Sequence, residues 1–214
     1  MENGTSIEST CLQVFAKASA AISHEIKNTL SIINENAGLL DDLAAMAEQG
    51  EGVAAERVRA AAATIMKQVD RSNLIMKNLN RFAHSADTPL ATANLSETLD
   101  LVVALTARQA AMKMIKVAVS CPPDLVITTC LLSFESLLYQ IFCQLYSSSA
   151  SSSSIELRAV AGQQGVTLQF EVQKQPGAAG SLRLDDCALL LKQLHMQEAV
   201  TESGLHLTFP AEIG

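Results

Sequence analysis

Tryptophan is absent and aromatic residues make up only 4% of the 214 residues, a length that still allows one globular domain or two small ones with a real core. Apolar runs are short: stretches such as Leu101 to Leu105 fall far below the roughly 20 residues that a membrane-spanning helix requires. The residues before Cys11 are polar and acidic, which excludes a secretory signal and makes a soluble, cytoplasmic chain with no membrane contact the expectation. Positive charge is scarce as well. With 15 Lys and Arg against 22 Asp and Glu the net charge is −7, too little basic field for a phosphate backbone, so no nucleic-acid partner is expected. The five cysteines (Cys11, Cys121, Cys130, Cys143, Cys187) are odd in number, scattered and without a CxxC pair, which excludes a disulfide framework and a zinc site and leaves reduced core thiols. No HxxxH or HExxH spacing offers a metal site.

What is present is 49% hydrophobic sequence with helical period in its first third. Leu12, Phe15, Ile22, Ile26, Ile33 and Leu40 recur at spacings of 3, 4 or 7 and predict one amphipathic helix, fading through Asp41 to Glu48 and stopped at Gly50 and Gly52. A second helix, from Val53 to about Ala86, carries Val58, Ile65, Val69, Met76, Leu79 and Ala83. The short connection makes the pair an antiparallel hairpin, and a hairpin alone buries only one side of each stripe, so a homodimeric four-helix bundle is expected. Asp87-Thr88-Pro89 breaks the pattern and divides residues 1–88 from a second domain, residues 89–214. That domain reads as α+β. Asn94-Leu95-Ser96-Glu97 resembles a capping box opening a helix to about Met112. Strands are expected at Ile115–Ser120, Leu125–Thr129, Ile155–Val160, Val166–Val172 and Leu205–Phe209, with a buried helix over Leu131–Tyr146 and a last helix over Asp185–Met196. The serine-rich run Ser147–Ser154 reads as a flexible loop, and Met66, Met76, Met112, Met114 and Met196 as core filler.

The chemistry-bearing candidate is His24. At 100° per residue it falls opposite the stripe of Ile22, Ile26, Ile33 and Leu40, with Asn28 and Ser31 on the same polar face, Lys17 and Glu35 extending it and Glu25 to one side. An exposed imidazole beside a carboxylate is a usable nucleophile. The other histidines fit quieter roles: His84 at a helix C-terminus beside Asp87, His195 in the last helix, and His206 facing out of the closing strand. Asp185-Asp186 at a helix start compensate the dipole rather than bind metal.

The stretch Ser23-His24-Glu25-Ile26-Lys27-Asn28-Thr29-Leu30 resembles the phosphoacceptor box of sensor histidine kinases, S-H-E-I-K/R-N-P-L, departing only where Thr29 replaces Pro, which should leave the helix straighter. The resemblance implies a dimerisation hairpin followed by a histidine-kinase-like α/β sandwich lobe, with Leu95–Asp124, Leu189–His195 and Leu205–Pro210 similar to parts of that lobe. By it, His24 accepts a phosphoryl group, Glu25 is the adjacent acid/base, and Asn28 orients a hydrolytic water. The ATP-binding boxes depart from the pattern: Gln144 and Ser148 stand where the family has Asn, Lys174 or Gln175 where it has the adenine-reading Asp, and only Gly177 and Gly180 remain of the glycine-rich lid. The expectation is therefore a chain similar to the dimeric histidine phosphotransferases of bacterial phosphorelays. It would bind no cofactor of its own and would exchange phosphate with a response-regulator receiver domain that holds the Mg²⁺. The alternatives are a non-catalytic pseudokinase scaffold docking a receiver or kinase, or a sensor kinase core that is active or phosphorylated in trans.

Overall fold

The computed structural model describes residues 6–162, 165–173, 184–201 and 204–210. Two long helices come first, α1 (Ile7–Glu48) and α2 (Ala55–His84), joined by a turn in which Gly50 takes φ +82°, a conformation that favours glycine. Then follow β1 (Ala91–Asn94), α3 (Leu95–Met112), β2 (Lys116–Ser120), β3 (Val126–Thr129), α4 (Leu131–Ser148), β4 (Ser154–Gly162) and β5 (Gly165–Gln173). A 3-10 turn (Asp185–Cys187), α5 (Ala188–Gln193), β6 (Gln197–Val200) and β7 (Gly204–Phe209) complete the described chain.

Packing divides the chain at places other than Asp87-Thr88-Pro89. One compact unit is Ser19–Asn80; the other joins residues up to Ala18 with those from Arg81 onward. The reason lies in the side chains of the first turns of α1. Cys11, Val14 and Ala18 are buried in the second unit, and Phe15 packs on Phe82 with ring centroids 5.8 Å apart.

Within Ser19–Asn80 the helices run antiparallel, folded back by the short turn between Glu48 and Ala55 and linked side by side by the pairs Glu25–Arg71 and Thr29–Ser72. Their seam follows the alternating 3- and 4-residue spacing of packed helices. On α1 it comprises Ile22, Ile26, Thr29, Ile33, Asn36, Leu40 and Leu43, and on α2 Ala61, Ile65, Gln68, Ser72, Ile75 and Leu79, all buried or half-buried. The expected stripes are corrected in part. Leu12 is 67% exposed, and Val58, Val69 and Met76 are exposed too, because one seam cannot cover a stripe that wide. Thr29 sits inside this seam. Its hydroxyl donates to Ile26 O at 2.8 Å and lies 2.7 Å from Ser72 Oγ, whose own hydroxyl bonds Gln68 O at 2.9 Å. A proline there would supply neither bond, and α1 runs through the position unbroken.

In the larger unit a mixed five-stranded sheet has the order β2-β4-β5-β7-β6, with β2 and β4 parallel and the other pairs antiparallel. Alternation puts Ile155, Leu157, Val166, Leu168, Phe170, Leu205, Leu207 and Phe209 on one buried face. The helix α4, buried nearly all round, covers that face, with Phe134 against Phe209 at 5.3 Å and Phe142 edge-on to Phe170 at 5.7 Å. Asn94 caps α3 as its sequence suggests, accepting from Glu97 N at 3.0 Å. Two short strands escape sequence reading. β1 pairs antiparallel with β3 as a separate ribbon, and β6 is an exposed edge on β7.

Three further expectations are revised. The serine run is tied down rather than loose: Lys113 Nζ donates to Ser147 O and Ser149 O at 2.8 and 3.2 Å, Ser152 N donates to Lys113 O, and Ser149 and Ser153 are buried. The last helix is broken into the 3-10 turn and the short α5, ending before His195, which takes φ +50°. Of the five methionines expected as core filler only Met196 is buried; Met66, Met76, Met112 and Met114 are exposed because they fall off the packed faces. Two glycines close the ends of the β5–β7 ladder: a Cβ at Gly204 would overlap Phe170 O, and one at Gly165, which has φ +131°, would overlap Phe209 O. Finally, Glu135 of α4 is buried, and burial pushes its carboxyl up to about 7 against the opposing pull of a Ser85 hydrogen bond and the Arg81 charge.

Candidate functional site

The helix α1 sets out Ser23, His24, Lys27, Asn28 and Ser31 as an exposed arc, because residues three and four apart share a helix face and the seam residues between them face α2. His24 and Asn28 are one turn apart on it. Ser31 spends its hydroxyl on Lys27 O at 3.1 Å, which leaves the arc's outer chemistry to the imidazole, the carboxamide and the Lys27 ammonium. Glu25 lies between arc and seam. Its carboxylate accepts from Arg71 on α2 at 2.6 Å, with the Glu25 side chain 17% exposed and that of Arg71 54% exposed. The acid beside the imidazole is thus held by a guanidinium, a geometry that fixes where its carboxylate sits. Arg71 is a neighbour that sequence reasoning missed. The signal for it exists only in the pairing of the two helices, 46 residues apart along the chain.

The larger unit carries a cleft of about 530 Å³ lined by residues of α1, α4 and the 3-10 turn, among them Lys17, Gln140, Gln144, Asp185 and Asp186. Gln140 and Gln144 are one turn apart on α4 and both line it. Ser148 does not; its hydroxyl bonds Gln144 O at 2.9 Å within its own helix. The pair facing the cleft is therefore one turn earlier than the Gln144 and Ser148 of the sequence comparison. Gln140 Oε1 accepts from the Cys187 thiol at 3.3 Å, and Gln144 Oε1 is buried without a hydrogen-bond partner. Burial pushes Cys143 up to about 11 and Tyr139 up to about 12, so both stay protonated beside the cleft. Lys174, Gln175, Gly177 and Gly180 lie outside the described residues. His84 Nδ1 is 2.8 Å from Asp87 Oδ2, His195 is exposed, and His206 sits on the outer face of β7. Among the described residues no cluster of His, Cys, Asp and Glu could hold a metal ion, and no helix is long and apolar enough to cross a membrane.

No protein-family model matches the chain, and no curated protein matches its sequence. Solved structures do. The catalytic domain of the histidine kinase ThkA is 12% identical, with a TM-score of 0.50, covering 59% of this chain and 100% of that domain. A bacterial phosphotransferase is 14% identical over 92% of this chain and 95% of its own, with a TM-score of 0.49. The histidine kinase AdeS of Acinetobacter baumannii is 8% identical over 82% and 95%, with a TM-score of 0.47. The fold is histidine-kinase-like, two long helices followed by an α/β lobe of the kinase catalytic-domain type.

Proposed function

We propose that the chain is a two-component signalling protein of the histidine phosphotransferase kind, carrying a phosphoryl group on His24 that it exchanges with the aspartate of a receiver domain. The observation that carries the reading is the exposed imidazole on the outer arc of an unbroken helix, with Asn28 one turn on and Glu25 held against α2. A receiver's active-site pocket can close over such a convex face. A ring nitrogen of His24 attacks phosphorus in line, the P–N bond forms as the P–O bond to the receiver aspartate breaks, and the aspartate leaves as a carboxylate. The reverse step restores it. The receiver brings Mg²⁺, so His24 contributes the nucleophile, Asn28 orients water when the phosphoryl group is instead hydrolysed, and Glu25 takes up or returns the ring proton once it lets go of Arg71.

The cleft in the larger unit is read here as docking surface and not as a nucleotide site. Among the described residues that line it, two carboxylates, Asp185 and Asp186, stand beside one cation, Lys17, and one of its three carboxamides, that of Gln140, is engaged by Cys187. In this reading the lobe serves as docking surface, and no step uses ATP. A second copy of the chain covers the exposed Val58, Val69 and Met76 of α2, completing a four-helix bundle in the cytoplasm.

The test is phosphotransfer from a phosphorylated receiver to the purified protein. Label should reach the wild type and not His24→Gln, whose circular dichroism should match the parent. Calorimetric titration with Mg²⁺ and a non-hydrolysable ATP analogue accompanies it, with no heat expected up to millimolar ligand. Micromolar binding would make the chain an active kinase core, and label on neither protein would make it a scaffold.

A further inference from the structure

The first turns of α1 and the N-cap of α4 bring two thiols to one hydroxyl. Ser133 Oγ lies 3.3 Å from Cys130 Sγ and 3.9 Å from Cys11 Sγ, so the sulfurs are no farther apart than these two contacts laid end to end. Cys11 and Ser133 are buried, whereas Cys130 is half-buried, and all three line an apolar groove of about 530 Å³ whose rim includes the exposed Leu12. The remaining cysteines differ in surroundings. Burial holds Cys143 at about 11 and Cys187 at about 12 and raises Cys121, which keeps those thiols protonated and slow to attack.

We propose that Cys11 and Cys130 form a reversible thiol–disulfide pair, closed by a small disulfide of the glutathione class. Closure needs rotation of the Cys11 and Cys130 side chains toward each other past the Ser133 hydroxyl, and both residues sit at an element end or in the first turns of one. Cys130, on the groove side, attacks first as the thiolate. The oxidised reagent's S–S bond breaks, a protein–glutathione disulfide forms, and one glutathione leaves to take up a proton. The Cys11 thiolate then attacks the Cys130 sulfur and expels the second glutathione. Two protein thiols are oxidised and one disulfide is reduced to two thiols. Closure ties the helix that carries His24 covalently to α4 in its first turns, a link of the transient, sensing kind that intracellular proteins use.

The full chain, reduced and then equilibrated with mixtures of reduced and oxidised glutathione, is alkylated and digested without reduction. The expected product is monomeric, two hydrogens lighter, with fragmentation placing the bond between Cys11 and Cys130, and with a higher thermal midpoint than the reduced form because the cross-link constrains the unfolded chain. Cys11→Ser and Cys130→Ser should each abolish it and Cys121→Ser should retain it. Cys11→Ala replaces the first variant should the serine unfold the protein. Glutathione stably retained on Cys130, a bond between two chains, a bond to Cys121 or Cys143, or no oxidation at all would each overturn the proposal. None of these outcomes depends on whether His24 carries phosphate.

Discussion

Between Ser19 and Asn80 the buried side chains are Ile22, Thr29, Leu43, Ala61 and Gln68, two of them polar, whereas α4 alone buries Phe134, Leu137, Leu138, Tyr139, Ile141 and Phe142. The hairpin also leaves Leu30, Val58, Met66, Val69, Leu74 and Met76 exposed. Two helices share one seam, and each must turn more than half its circumference to solvent, however apolar it is. A helix laid on a sheet has no such limit, since strands and neighbouring helices meet it on several sides. The contrast teaches that apolar content says little about where a chain is finished. The lobe closes its core within one chain, and the hairpin leaves an apolar stripe exposed.

Removing one of the rings that join α4 to the sheet should produce the largest effect. Phe142→Ala empties the space against Phe170 and Tyr146 and should cost about 3–5 kcal/mol, read as a lower denaturant midpoint for the lobe. Should it cost no more than a hairpin substitution, the lobe is not the better-packed region. Glu135→Gln comes next, through pH. The folded carboxyl titrates at about 7, above its ordinary 4.5, so the native state holds a proton that the unfolded chain releases. Its contribution is present below about 4.5 and fades as pH rises through 7, a loss of about 3 kcal/mol by pH 8. Denaturation at pH 5 and pH 8 should show that fall in the wild type and not in the Gln variant.

In the hairpin the effects shrink. Thr29→Val keeps the shape but deprives Ser72 of its 2.7 Å partner, and should lower hairpin stability by about 1 kcal/mol. A gain in stability would show that the buried hydroxyl pair weakens the seam. Val69→Glu should change the stability of the single chain by less than about 0.5 kcal/mol, its side chain being already 43% exposed. Should the parent sediment as the proposed dimer, this variant should sediment as a monomer, and an undiminished dimer would place the association elsewhere.

Both long helices, the Asn94 cap and the strands with alternating burial were legible because each is a local pattern of period 3.6 or 2. β1 and β6 were not. Ala91–Asn94 and Gln197–Val200 have little apolar alternation, and only the neighbouring β3 and β7 make strands of them. The serine run misled for a related reason: what fixes it is Lys113, an anchor more than thirty residues away that no composition rule can see. At the candidate site, the exposure of His24 and Asn28 follows from spacing along one helix. The hold of Arg71 on Glu25 depends on how the two helices are registered, and the placing of Gln140 in the cleft depends on how α4 is rotated.

The glycines at the two ends of the β5–β7 ladder carry a consequence for variation. Gly204 lacks room for even one methyl carbon beside Phe170 O, and Gly165 combines the same crowding at Phe209 O with a backbone angle unsuited to other residues. In a library with every amino acid at every position, selected for folding, these two columns should come out empty of everything but glycine. The exposed hairpin positions should meanwhile admit most alternatives in any selection that reads the single chain. Read as a pair, the blank columns would mark the two ends of a ladder whose strands the sequence shows singly and whose pairing it does not.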